Sequence, residues 1–308
     1  MTVLLYSHPA CLQHNAGLAH PESPSRLKAV LQALRAAGLP GLQEREAPRV
    51  QRDQLQRVHT PDHIEHIFAA EPETGDTHLD ADTAMSPGSL EAALRAAGAA
   101  CAAVDAVLAD EARRAFCAVR PPGHHATADT AMGFCLFNNI AVAAAHALHA
   151  HGLERVAIAD FDVHHGNGTE DIFADEPRVQ FLSSHQMPLY PGSGSPGMHR
   201  AHIHNGALLP GSDSSAFRKL WREQLLPAID AFAPQMVFIS AGFDADWRDP
   251  LAQIELVPDD YAWITHELCA LADRHAEGRA VSALEGGYDL QALAEDSVAH
   301  VRAMTDSG

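Results

Sequence analysis

Apolar residues along this chain fall into two recurring patterns. Short, unbroken runs rich in β-branched and aromatic side chains cover residues 3–6, 116–119, 156–159, 179–182, 236–240 and 280–284. Runs of that length and composition predict strands buried on both faces. Between them lie longer stretches with apolar positions at helical spacing. After Ser23 and Pro24, the residues Leu27, Val30, Leu31 and Leu34 form one face, and Gly38 follows. Ser-Pro at the start and Gly at the end are helix boundary signals. Residues 89–108, 139–150, 215–232, 259–276 and 290–304 are predicted helices as well, the first of them rich in alanine. Strands alternating with helices imply an α/β protein with a parallel sheet covered on both faces. In such sheets, functional side chains gather beyond the carboxyl ends of the strands. No repeat, charge block or low-complexity linker breaks the alternation, so residues 1–308 are read as one domain.

Charge narrows the function classes. The formal net charge of −19 speaks against DNA or RNA as a direct ligand, because phosphate binding needs clustered Lys and Arg. It suits a cationic partner: a lysine-bearing protein, a basic peptide or a polyamine. The five cysteines, Cys11, Cys101, Cys117, Cys135 and Cys269, include no C-x-x-C pair. That pattern argues against a thiolate zinc site or a disulfide framework and predicts a reducing, cytoplasmic setting. The opening MTVLLYSHPA has no basic leader region, and no segment approaches membrane-spanning length.

The predicted strand ends hold the candidate chemistry. One reads Val119-Arg-Pro-Pro-Gly-His-His125. Another runs from Ala157 through Asp160, Asp162, His164 and His165 to Asn167. A third contains Ser240-Ala-Gly-Phe-Asp244, and a fourth ends in Leu284-Glu-Gly-Gly-Tyr288. Asp160, Asp162 and His164 are spaced by two, so on a strand they leave the same face together. Carboxylate oxygens and an imidazole nitrogen suit a first-row divalent ion, zinc foremost. With Asp244 from another strand, Asp162 and His164 make a three-ligand set with an open position, as catalytic zinc requires. Asp160 is then an orienting group behind the ligands. Paired histidines are weak information by themselves. A chain with 21 histidines has roughly 1.4 adjacent pairs by chance, and this one has two. His59, His63 and His66, or His202 and His204, are ordinary histidines on the same reasoning. Placement at glycine-rich strand ends is what distinguishes the other segments.

Together these segments resemble the histone deacetylase superfamily, and more narrowly its class II and bacterial members. The matching motifs, in the family's order, are His20-Pro-Glu-Ser-Pro-Ser-Arg-Leu27, Arg120-Pro-Pro-Gly-His-His-Ala126, Gly133-Phe-Cys-Leu-Phe-Asn-Asn139, Asp160-Phe-Asp-Val-His-His-Gly-Asn-Gly-Thr169, Ala241-Gly-Phe-Asp-Ala245 and Glu285-Gly-Gly-Tyr288. The resemblance implies an arginase-like, three-layer α/β/α fold with a central, mostly parallel eight-stranded sheet. It implies one Zn2+ per chain on Asp162, His164 and Asp244. His124 and His125 become the tandem catalytic histidines, held by Asp160 and Asn167. Class I relatives carry Asp where this chain has Asn167, which implies a less basic His125. Tyr288 becomes the hydroxyl facing the metal across the substrate carbonyl. Gly133, Phe134 and Tyr190 become channel walls, with Asp80 as the rim acid beside Asp82. A K+ ion would use Asp160, Asp162, His164 and the main-chain oxygen of Ser183.

The implied reaction is hydrolysis of an acyl amide. Zinc polarises the carbonyl and acidifies water, His125 moves the proton, and Tyr288 stabilises the oxyanion. The expected substrate is an ε-N-acetyl-lysine of a protein or peptide. An acetylated polyamine is the alternative, for which Asp259 would supply an acid near the cationic tail; its competing role is that of a helix N-cap. A non-catalytic acyl-lysine binder is the alternative from another class, and the intact Tyr288 and histidines speak against it. An arginase-like manganese pair is disfavoured because the ligands suffice for one ion. Acyl length and assembly into a homo-oligomer are left open.

Overall fold

The structure, a computed structural model, describes residues 1–196 and 200–306. From the amino end come β1 (Val3–Ser7), α1 (Pro24–Ala37), β2 (Leu42–Glu46), α2 (Arg52–Leu55), α3 (Pro61–Ala70), the short hairpin β3 (Thr77–His78) and β4 (Ala84–Met85), and the long α4 (Ser89–Leu108). Next are β5 (Arg114–Cys117), α5 (Asn139–Ala150), β6 (Val156–Asp160), α6 (Asn167–Phe173), β7 (Val179–Gln186) and β8 (Ile203–Leu208). The chain closes with α7 (Ser214–Leu220), α8 (Leu226–Phe232), β9 (Val237–Ala241), α9 (Pro258–His275), β10 (Ala280–Leu284) and α10 (Leu290–Asp306).

Eight strands form one sheet in the order β2-β1-β5-β10-β9-β6-β7-β8, and every neighbouring pair is parallel. This is the expected layered fold: parallel pairing forces crossovers, and the crossovers put helices on the sheet. The six predicted strands are the six inner ones, and their predicted runs are mostly apolar because both faces are covered; β5, β6, β7, β9 and β10 have every residue buried, the polar Arg114 and the Ser-Ser-His-Gln end of β7 included. The two edges were not in that set. β2 reads Leu-Gln-Glu-Arg-Glu with four exposed residues, and its charges keep a free edge from pairing with other chains. β8 is interrupted by Asn205 and Gly206. The alanine-rich α4 and α5 pack on each other and on the central strands, while α1, α9 and α10 pack together.

Two helix expectations change. Residues 215–232 do not form one regular helix. A wide π turn at Trp221–Leu225 separates α7 from α8, and Pro227 follows it. Proline has no amide to continue the α ladder there. At α9, Asp259 is not the N-cap. Pro258 takes the first helical position, so Asp260 reaches back to accept from the Val257 amide at 3.1 Å. Asp260 also accepts from Ser214 at 2.5 Å and Arg218 at 2.6 Å. Asp259 is exposed. Among the described residues, no helix is long and apolar enough to cross a membrane.

Candidate active site

The strands β5, β10, β9, β6 and β7 are consecutive in the sheet. Their carboxyl ends therefore deliver the segments 120–125, 285–288, 242–246, 161–166 and 187–194 to one place. Asp162, His164 and Asp244 meet there, all buried, with one ligand atom from each lying within 4.8 Å of the others. His164 Nδ1 is 3.2 Å from Asp162 Oδ1 and 3.1 Å from Asp244 Oδ2. Ligands at about 2.0 Å in a tetrahedral zinc site stand about 3.3 Å apart, so these spacings fit such an ion. Backbone amides aim the carboxylates. The His164 amide donates to Asp162 Oδ1 at 2.9 Å, the Gly286 amide to Asp162 Oδ2 at 2.8 Å, and the Val163 amide to Asp244 Oδ1 at 2.9 Å. A Cβ on Gly242 would fall 2.0 Å from Asp162 Oδ2, and one on Gly286 2.0 Å from Asp244 Oδ2. Only glycine lets these backbones approach the carboxylates so closely.

Charge balance gives a second test. Burial opposes ionisation of His164, yet Asp162 and Asp244 raise its pKa to about 10. Burial opposes ionisation of Asp162 too, but His124 and His164 hold its carboxyl below the usual range. Asp244 is pushed up by burial and by Asp162 beside it. Without an ion, two buried carboxylates thus draw a proton onto the imidazole between them. A divalent cation would take that proton's place, which is the behaviour of a metal ligand set.

The two histidines that follow β5 are held differently. His124 donates from Nδ1 to Asp160 Oδ2 at 3.0 Å. Burial lowers its basicity, but Asp162 and Asp160 outweigh that and hold its pKa well above the ordinary value. His125 Nδ1 lies 2.7 Å from Asn167 Oδ1, while the Asn167 amide nitrogen faces His125 O and Met132 Sδ, each at 3.4 Å. An amide oxygen only accepts, so Nδ1 carries the proton and Nε2 keeps a lone pair. Burial, then His124 and His164, hold the His125 pKa well below the ordinary imidazole range. A cation nearby would add to that effect.

The cavity above these groups holds about 230 Å³ and is lined by Asp82, His125, Gly133, Phe134, His164, Leu189, Tyr190, Leu251 and Tyr288. Drug-sized pockets start at about 300 Å³, so this one suits a small group. Gly133 and Phe134 both have positive φ, 55° and 68°, and a Cβ on Gly133 would meet His125 Cδ2 at 2.5 Å. Tyr190 stands edge-on to His125, ring centres 5.2 Å apart, and Phe134 faces Tyr288 at 5.9 Å. Burial pushes the Tyr288 phenol well above its ordinary pKa, so it remains a donor. Arg26 lies 4.8 Å over the Tyr288 ring and donates to Gly287 O at 2.6 Å and Glu285 O at 2.5 Å.

The structure brings together every expected site residue except two. Asp80 is exposed and closes its own turn, accepting from the Asp82 amide at 3.0 Å and the Thr83 amide at 2.6 Å. Asp82 is the acid in the cavity wall, with its pKa pushed up by burial and by Asp80. Asp259 does not line the cavity. Ser183 is the register partner of Asp160, and its hydroxyl lies 2.9 Å from His185 Nδ1. Sequence reasoning missed Leu189 and Leu251, which carry no chemical signal. It placed Glu285 in a motif but gave it no role; the carboxylate accepts from the Gly123 amide at 2.7 Å and the His124 amide at 3.2 Å. Its signal was a lone Glu at the end of an apolar strand. Glu22 and Arg120 form a buried ion pair behind the first histidine segment.

Comparison with known proteins extends this picture over the whole chain. The sequence model of the histone deacetylase domain matches residues 20–304. A histone deacetylase-like amidohydrolase of Pseudomonas aeruginosa is 43% identical over 284 residues, covering 90% of this chain and 74% of that protein. A probable deacetylase of Archaeoglobus fulgidus is 37% identical, covering 92% and 80% respectively. Among solved structures, the HD domain of HDA15 aligns with a TM-score of 0.94 at 32% identity, over all of this chain and 89% of that one. Agreement in motif order, fold and extent leaves one conclusion, that this chain belongs to the histone deacetylase family of amidohydrolases.

Proposed function

We propose that this protein is a zinc-dependent deacetylase that removes the acetyl group from ε-N-acetyl-lysine in proteins or peptides. The observation carrying this reading is the buried Asp162–His164–Asp244 set, open to a narrow cavity whose wall also holds His125 and Tyr288. Zinc bound there would polarise the amide carbonyl and make water at its open position more acidic. His125 takes the proton of the attacking water at Nε2, which its bond to Asn167 leaves free, and returns it to the leaving amine. His124, charged and held by Asp160, supports the developing negative charge. The neutral Tyr288 phenol donates to the oxyanion.

Acetyl-lysine is favoured over an acetylated polyamine by the cavity wall. Phe134, Leu189 and Leu251 suit a chain of methylenes, and among the described lining residues Asp82 alone carries a carboxylate. A polyamine tail is a second cation and gains from acids along its path. The net charge of −19 draws basic peptide segments equally well.

The test is steady-state kinetics of the zinc-loaded protein on an acetyl-lysine peptide, acetylputrescine and acetylspermidine, with metal counted per chain. We expect one zinc, activity lost to a chelator and restored by zinc, and kcat/KM at least about tenfold higher for the peptide, a difference of 1.4 kcal/mol. Preference for a polyamine would replace the substrate assignment. A zinc-loaded protein inert on every acyl amide would sink the enzymatic one.

A further inference from the structure

The segment between β9 and α9 carries the candidate ligand Asp244 near its start and then the cavity residue Leu251. Asp249 lies between them and is only 6% exposed. Its two oxygens work in different directions. Oδ1 accepts from the Leu251 amide at 2.9 Å, closing a local turn. Oδ2 accepts from the Tyr288 amide at 2.7 Å, across 39 positions of sequence, at the turn that follows β10. One carboxylate therefore joins two strand-end loops, and each loop gives the cavity one wall residue.

A buried carboxylate is a costly choice for closing a turn. Asn or Ser would close the Leu251 turn with no charge to desolvate. The adjacent cation does not offset the cost: Arg248 is committed to Asp246 at 2.8 Å and Glu295 at 2.7 Å. The oxygen that reaches Tyr288 is what an uncharged turn residue would lack. A bond from an amide to an ionised carboxylate is shorter and about twice as strong as a neutral one; burial and then Asp244 push the Asp249 pKa up to about 7, so that strength is held above it.

We propose that Asp249 is a positioning residue that fixes the Tyr288 hydroxyl and the Leu251 wall as one unit over the metal ligands. This rests on the deacetylase reading, in which Tyr288 donates to the oxyanion. The phenol touches the reacting atoms; Asp249 acts through it, by clamping the backbone from which the phenol extends. Misplacement of a reacting group by 1 Å costs about a hundredfold in rate, so the backbone bonds that this carboxylate accepts from the turn after β10 are enough to matter.

The test is a double-mutant cycle on the zinc-loaded protein with an acetyl-lysine peptide, using D249N, Y288F and both together. In D249N the amide keeps one acceptor and turns an NH2 toward the other backbone amide. We expect kcat to fall by about 10- to 100-fold, with KM changing less than about threefold and zinc content unchanged. In the Y288F background, D249N should cost kcat less than about twofold, because the hydroxyl it positions is gone and only the Leu251 wall remains to be held. Equal losses in both backgrounds would overturn the proposal, as would a D249N kcat within twofold of wild type. Should D249N lose its circular dichroism signal, D249S carries the same cycle. A wild type that binds zinc but turns over no acyl amide would instead defeat the functional reading. The position of Tyr288 in crystals of wild type and D249N then decides the clamp alone, and an unmoved ring would overturn it.

Discussion

Two clusters in this molecule offer a metal the same kinds of atoms, and they are built in opposite ways. Asp162, His164 and Asp244 lie at the strand ends; Asp105, His146 and His151 lie where α4 runs beside α5. In each, three ligand atoms stand within 4.8 Å of one another. The first cluster is wholly buried, whereas Asp105 and His151 are exposed. Backbone amides aim the carboxylates of the first, leaving His164 Nδ1 pointing at both. In the second, both imidazole Nε2 atoms lie 2.7 Å from the same Asp105 oxygen. Arg57 is 2.6 Å from His146 Nδ1. A guanidinium only donates, so His146 carries its proton on Nε2 and spends it on Asp105. The nitrogen facing that cluster is a donor with no lone pair for an ion. Ligand type and proximity are alike in the two clusters; what differs is the layer of hydrogen bonds behind the ligands, which orients ligands toward or away from an ion.

The largest expected effect strikes the first cluster directly. Asp162→Asn should abolish metal retention, read by elemental analysis, and bring turnover to background. Retention of a full equivalent of zinc by that variant would mean the ion sits elsewhere. Tyr288→Phe sharpens the comparison by separating metal holding from chemistry. Zinc content should stay unchanged while kcat falls by about 10²–10³, the usual cost of an oxyanion donor. A Y288F protein with near wild-type kcat would remove the phenol from the reaction.

What could be read from the sequence follows the same division. Strands buried on both faces are continuous apolar runs, so β6, β9 and β10 were legible. The edges β2 and β8 answer to solvent on one side and have no such run; their presence was implied only by the family resemblance. Asp162 and His164 were legible as ligand types just past a predicted strand end, but not by a shared strand face: β6 stops at Asp160, and the two lie in the bend that follows, where the His164 amide donates to Asp162 Oδ1. Asp80 and Asp82 are also spaced by two, but the turn amides claim Asp80 and leave Asp82 to the cavity. Spacing cannot tell which of two acids a turn will consume. Leu189 and Leu251 are apolar loop residues, and only the path of their loops brings them to the wall. Asp260 rather than Asp259 serves α9 because Pro258 shifts the helix start by one position.

A smaller effect tests what stands behind an imidazole. His125 rests on a neutral acceptor, Asn167, at 2.7 Å. The general base must be neutral, so activity is present above the His125 pKa and lost as pH falls through it. That pKa is depressed, by burial first and then by His124 and His164, so the acid limb of kcat/KM should lie below the ordinary imidazole value of about 6.5. Asn167→Asp puts a negative charge against Nδ1 and favours the protonated ring. The acid limb should move to higher pH by about one unit or more. A limb that stays in place, measured from pH 4 to 9 with zinc content checked at each end, would show that another group sets it.

The smallest change addresses the second cluster. His151→Ala removes one of the two imidazoles on Asp105 and leaves His146 with its Arg57 contact. The lost pair is solvent-screened, with side chains 30% and 54% exposed, and such pairs contribute about 0–1 kcal/mol. Thermal unfolding should therefore shift by no more than that, and the zinc equivalent of wild type should be untouched. Titration of both proteins with excess zinc separates the readings: if Asp105, His146 and His151 hold an ion, wild type takes up a second equivalent that H151A cannot. Uptake of that second equivalent would show that Arg57 yields its contact and that proximity alone can assemble a site. One equivalent in both proteins would mean that the proton on His146 Nε2, set by Arg57 on the far side of the ring, is what closes this cluster to metal.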